Sequence, residues 1–167
     1  DVMPMEYAGQ GTADLRPAAV ATVDADGDNV TDLRYFGYEI LEGKPDNPGL
    51  PHTYLNQGDG AQTLKITLRD AVKDLYVDLY YTAFDFSGAI ARWTVVRNAG
   101  AQAVDLTRVM SASLQFPGKD YDLIHLHGAW AREFHVERTP IAHTTQAVSS
   151  FRGSSSPLHN PFAVIPA

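Results

Sequence analysis

Apolar side chains occupy every second position at Leu64, Ile66 and Leu68, with Lys65, Thr67 and Arg69 between them. That period of two marks a strand with one face in a core and the other toward water. Leu75, Val77, Leu79 and Tyr81 repeat it, with Tyr76, Asp78 and Tyr80 on the opposite face. Further strands are predicted over residues 30–42, 89–97, 104–116, 130–138 and 145–150. Residues 104–116 could also be argued as helix, but their serines, valine and threonine and the even spacing of Val104, Leu106, Met110, Ala112, Leu114 and Phe116 favour strand. Asp26–Gly27, Asp59–Gly60 and the Asn98 to Gly100 stretch carry turn chemistry between these runs. Prolines gather at 45–51, 157–161 and 166, between strands, where no ladder hydrogen bond is lost. Long strands, short turns and no alternating helices predict an all-β fold, an antiparallel two-sheet sandwich. Residues 1–13 are rich in Gly, Met and Ala without periodicity and are expected to be an arm or linker, leaving 14–167 as one β domain.

Composition narrows the function. At 167 residues the chain is long enough to bury a proper core. Thirteen basic against twenty acidic residues give a net charge of -7, so no basic stripe exists to displace counterions from a phosphate backbone. A nucleic-acid partner is not expected. Nor is a membrane, since no apolar run approaches the roughly 18 residues of a helical span. The absence of cysteine excludes disulfides, thiolate metal sites and cysteine nucleophiles, and it fits a cytoplasmic protein. The opening Asp1-Val2-Met3-Pro4 reads like a segment cut from a longer chain.

Candidate chemistry is sparse. His125 and His127 lie on one face of a strand, about 7 Å apart by strand rise, a spacing that can hold a metal. No third ligand follows at a persuasive spacing, so the pair is read as a strand end with two partly exposed histidines and no metal is expected. Glu133, His135 and Glu137 alternate with Phe134 and Val136, which puts the glutamates about 13 Å apart on a strand. Glycosidase carboxylates stand about 5–5.5 Å apart when retaining and about 6.5–9.5 Å apart when inverting, so this pair suits neither. Arg132 and Arg138 are near enough in sequence to satisfy both carboxylates. No catalytic residue is expected here, nor any cofactor. Trp93 reads as core, whereas Trp130, after Gly128 and Ala129, reads equally as core or as a domain contact. The loop His159-Asn160-Pro161-Phe162 is of a different kind. Pro161 biases Asn160 toward an extended backbone that would present its amide outward, as in functional loops. A turn capped by Asn160 is the equal alternative.

The order and spacing of several such segments resemble the N-terminal β-domain of glycoside hydrolase family 36. The text that carries the likeness includes Thr31 to Tyr35, Gly43-Lys44-Pro45, Pro48 to Pro51, Ala89-Ile90 with Arg92, and Asp120-Tyr121-Asp122. It continues through Gly128 to Glu133, His135 to Arg138, and His159 to Phe162. The resemblance implies a β-supersandwich of the galactose mutarotase-like type, joined in the parent enzyme to a (β/α)8 barrel. It implies a retaining α-galactosidase that cleaves terminal α-galactosides such as melibiose and raffinose. The two catalytic aspartates of such enzymes lie on the barrel, and no position here corresponds to either. His159 and Asn160 are then expected at the rim of the sugar pocket, with Leu50, Trp130 and Phe162 as domain or subunit contacts in a homo-oligomer. Where similar family members read His-Gln before the His159–Phe162 segment, this chain has Pro157 and Leu158, which opens an α-N-acetylgalactosaminidase or another α-galactoside preference. A stand-alone carbohydrate-binding or aldose-epimerase-like module is the alternative, since the same sandwich superfamily includes mutarotases.

Overall fold

The two strongest alternating runs pair with each other. In the computed structural model, which describes residues 5–12, 16–49, 51–116, 118, 120–150 and 156–166, eight strands form and no helix is present among those residues. The strands are β1 (Val20–Asp24), β2 (Arg34–Glu42), β3 (Ala61–Asp70), β4 (Leu75–Phe84), β5 (Ile90–Asn98), β6 (Val104–Val109), β7 (Asp122–Ala129) and β8 (Arg132–Pro140). The all-β, antiparallel class matches the sequence expectation. By compactness the chain divides into residues 1–114 and residues 115–167.

In the first unit, β2, β3, β4 and β5 form a four-stranded antiparallel meander, and β1 pairs with β6 as a second, two-stranded sheet. Register places Ile66 opposite Leu79 and Leu68 opposite Val77, so the apolar faces of β3 and β4 coincide. Leu75, Val77 and Leu79 are fully buried, and Val77 and Leu79 pack with Val20 of β1, Ala19 and Tyr7. Burial of such side chains, at about 25 cal/mol per Å² of apolar surface, is what holds the two sheets face to face. Tyr7 lies within the stretch expected to be an arm, yet it is buried and its hydroxyl donates to the Met110 carbonyl at 2.5 Å. Ala8 is buried beside it and accepts from the Ala19 amide. This stretch packs because Tyr7 supplies apolar area that the short β1–β6 sheet lacks.

The opposite face of the meander is polar but satisfied. Thr63 and Thr82, opposite each other in register, share a hydroxyl hydrogen bond at 2.6 Å. Thr67 donates to the buried Asp78 carboxylate at 2.6 Å, and Arg97 donates to it from β5 at 2.8 Å. Trp93 belongs to this face, a correction to its reading as core. It is half-buried, stacks on Tyr80 with ring centres 4.7 Å apart, and carries the Lys44 ammonium 4.8 Å above its ring. Its strand also carries Ile90, Val95 and Val96, but the register sets Trp93 opposite Tyr80 and so on the polar side.

Two predicted strands are shorter or missing. β6 stops at Val109, since its only ladder partner is the five-residue β1 and the pairing runs out at Val20–Val109. Residues 145–150 form no strand. Alternation alone cannot make a strand without a neighbour to take its backbone hydrogen bonds.

The second unit is built on the β7–β8 hairpin, and β7 is a full eight-residue strand rather than a strand end. Residues 156–164 run antiparallel along the other edge of β7. Ile124 and Val164 exchange both backbone hydrogen bonds at 2.8 Å, and Gly128 donates to Leu158 at 3.0 Å.

Candidate functional site

The tip of the β7–β8 hairpin is conformationally unusual. Trp130 and Ala131 form its two-residue turn, with Ala131 at a positive φ of 60°. The register shifts between His127 and Ala129, and Gly128 sits at that shift. A Cβ on Gly128 would lie 2.3 Å from the Arg132 carbonyl oxygen and 2.7 Å from the Glu133 Cα, so only glycine fits. Phe134 holds a positive φ of 61°, a region that aromatic residues rarely adopt. Strain of this kind costs of order 1–3 kcal/mol per residue and persists where the surroundings enforce it, often at functional sites.

Beside this tip lies an open cleft of about 530 Å³, lined by Gly128, Ala129, Trp130 and Glu133 from the hairpin and by Ser156, Pro157, Leu158 and His159 from the facing turn. The turn is fixed by the His159 amide donating to the Ser156 carbonyl at 3.0 Å and by Ser156 Oγ accepting from the Leu158 amide at 3.2 Å. Asn160 donates its backbone amide to Leu126 at 3.3 Å, which ties the turn to β7.

The cleft brings together two of the residues expected to matter, Trp130 and His159. Trp130 is 89% exposed, so it is not a core residue of this chain, and it does not begin a strand. Asn160 is half-buried and adjoins the cleft without lining it. Phe162 lies further along the same segment and is 47% exposed. Leu50 lies outside the described residues.

Neither glutamate pairs with an arginine as the sequence suggested. Glu133 accepts from the Ala131 amide at 2.9 Å and thereby caps the turn, while Arg138 bonds to Asp122 across the hairpin. Glu137 instead faces His125 and His127, because the register sets it opposite His125. Sequence reasoning missed this cluster and missed Glu133 as part of a cleft wall. The available signal was the pair of alternating polar runs on either side of Trp130 and Ala131, which a two-residue turn folds onto one another.

Chemically the cleft suits recognition. A flat indole face stacks on the C–H groups of a sugar ring, and Glu133 and His159 can bond to hydroxyls. The lining carries a single carboxylate, Glu133, whereas glycoside hydrolysis by the common route needs a pair.

The chain is similar to one family over its whole length. The glycosyl hydrolase family 36 N-terminal domain matches residues 1–166. Alpha-galactosidase AgaA of Geobacillus stearothermophilus is 42% identical over 167 residues, which are all of this chain and 23% of that relative. Alpha-galactosidase Mel36A of Lactobacillus acidophilus is 40% identical over 165 residues, covering 99% of this chain and 22% of the relative. Among solved structures, the alpha-galactosidase AgaB of Geobacillus stearothermophilus superposes with a TM-score of 0.93 at 43% identity, over 98% of this chain and 22% of that one. A variant of AgaA in complex with raffinose superposes with a TM-score of 0.91 at 43% identity, over 96% and 22%. The chain thus spans less than a quarter of the length of these relatives. With the family match over residues 1–166 and the superposition on solved α-galactosidases in agreement, this chain belongs to the glycosyl hydrolase family 36 N-terminal domain family.

Proposed function

We propose that this chain is the non-catalytic N-terminal domain of an α-galactosidase acting on terminal α-galactosides such as melibiose and raffinose. The whole-chain match to a domain that makes up 22–23% of α-galactosidases carries this reading. The single carboxylate of the cleft supports it, because the reacting pair must then lie elsewhere in the protein, on a (β/α)8 barrel. The domain would support that barrel, contribute to a homo-oligomer and lend the His159–Phe162 segment to the rim of the sugar pocket. The AgaA complex with raffinose supports the substrate class.

His159→Ala and Asn160→Ala in the intact protein test the rim. A side chain that bonds substrate in a desolvated site contributes about 1–3 kcal/mol, so kcat/KM on melibiose is expected to fall roughly 5- to 150-fold with the melting temperature preserved. A lowered melting temperature with unchanged kcat/KM in both variants would defeat the rim assignment.

One observation favours a second reading. An aldose-epimerase-like module needs an acid and a base in one cleft, and Glu133 and His159 line the same one. Accelerated mutarotation of galactose by the chain, lost in Glu133→Gln, would establish that reading, and a rate equal to the uncatalysed one would remove it.

A further inference from the structure

We propose that His125, His127 and Glu137 form a site for a divalent cation of the zinc class, which clamps β7 to β8. The alternation of β7 puts both imidazoles on one face, and the register places Glu137 directly opposite His125. Glu137 Oε2 lies 3.2 Å from His127 Nδ1 and 3.6 Å from His125 Nε2. One ligand atom from each of the three residues falls within 4.8 Å of the others. Tetrahedral zinc, with bonds near 2.0–2.1 Å to nitrogen and oxygen, holds its ligands about 3.3 Å apart, so two separations already fit and a small rotamer change closes the third.

The 3.2 Å approach is not a hydrogen bond. His127 Nδ1 is buried yet has no hydrogen-bond partner, while on His125 it is Nε2 that faces the carboxylate. A buried ring nitrogen left unbonded beside a carboxylate is better explained as a lone pair converging on a cation than as a satisfied structural pair. The two rings are tilted by 43° with centres 5.7 Å apart, so stacking does not account for their placement. Accessibility is graded: the His125 side chain is 14% exposed, against 42% for His127 and 47% for Glu137. A cation can therefore enter from solvent and rest against the strand. Two imidazoles and one carboxylate select zinc and its neighbours over calcium or magnesium, which prefer oxygen ligands. The fourth position falls to water or to His135, whose ring centre is 6.4 Å from that of His127. The site is separate from the cleft lining, and its role is to cross-link the hairpin below its strained tip.

The test uses the intact protein without a polyhistidine tag, stripped with EDTA and titrated with zinc chloride by calorimetry. One saturable equivalent is expected, with a rise in melting temperature and, for Co²⁺ in place of zinc, the intense visible bands of a four-coordinate ion. His127→Gln and Glu137→Gln should each weaken zinc binding by about tenfold or more, whereas His143→Gln, outside the cluster, should not. Circular dichroism confirms that each variant is folded. Absence of saturable zinc binding by the unmodified protein would overturn the proposal without reference to any variant. An affinity equal in the unmodified protein and Glu137→Gln would overturn it too, as would tighter binding of magnesium than of zinc.

Discussion

Replacing Arg97 by Met tests the polar face of the meander most sharply. The Asp78 carboxylate is 2% exposed, and it accepts from Arg97 Nε at 2.8 Å, from the second Arg97 nitrogen at 3.3 Å and from Thr67 at 2.6 Å. Burial pushes the Asp78 carboxyl up, but the Arg97 and Thr67 hydrogen bonds and the nearby Lys65 charge outweigh it and hold it below the usual carboxylate range. Removing one partner of a fully buried pair costs roughly 3–5 kcal/mol, because the other charge is stranded. Here Arg97 is half exposed and Thr67 remains, so water can replace part of what is lost. Methionine keeps the packing stem but forfeits the guanidinium's position 4.9 Å from the Tyr76 ring centre, a contact worth about 0.5–1 kcal/mol at such a site. The net expectation is about 2 kcal/mol of destabilisation near neutral pH. The pH dependence supplies the sign. With Arg97 present, the folded carboxyl titrates below its unfolded value, so its contribution is full above about pH 4 and is lost as pH falls through the folded value. Without Arg97, the carboxyl loses its main depressing partner while burial still pushes it up, so the folded value rises and the penalty shrinks in acid. Urea unfolding of both proteins at about pH 7 and about pH 3 should therefore show the difference shrinking to well under half. A difference below about 0.5 kcal/mol at neutral pH, or one equal at both, would refute the reasoning.

Other outcomes follow from the same structure. Leu79→Ala empties a fully buried site between the two sheets and should cost about 2–5 kcal/mol in denaturant unfolding. Gly128→Ala forces a methyl against the Arg132 carbonyl and should cost about 1–3 kcal/mol or more, read as a lower melting temperature, while an unchanged one would mean the tip relaxes freely. The isolated chain should not hydrolyse an aryl α-galactoside, since its cleft holds one carboxylate; turnover that survives controls for contaminating enzyme would contradict this.

Strand identity was largely legible in the sequence where one face meets a core. Leu64, Ile66 and Leu68, and then Leu75, Val77 and Leu79, alternate because a strand's side chains alternate, and no distant information is needed to see it. The segment from Gly128 to Glu133 stands out as text, but it reads as the start of a strand, and the two-residue turn at Trp130 and Ala131 emerges only from the pairing of β7 with β8. The all-β class and the family followed from such local patterns in their order along the chain.

What the sequence could not decide was which strands meet, and in what register. Glu137 reads as one of two glutamates too far apart to act, until the hairpin sets it against His125. Trp93 reads as core until the meander places it beside Tyr80 on the polar face. Trp130 and His159, far apart in the text, share a cleft only because residues 156–164 add to the edge of β7. Residues 145–150 read as a strand but find no ladder, and β6 ends where β1 runs out of partners. Alternation is set by the backbone geometry of one strand, whereas pairing is settled by hydrogen bonds and burial between strands distant in sequence. The face of each strand was therefore written locally, and the neighbour across from it was decided only when the whole chain closed.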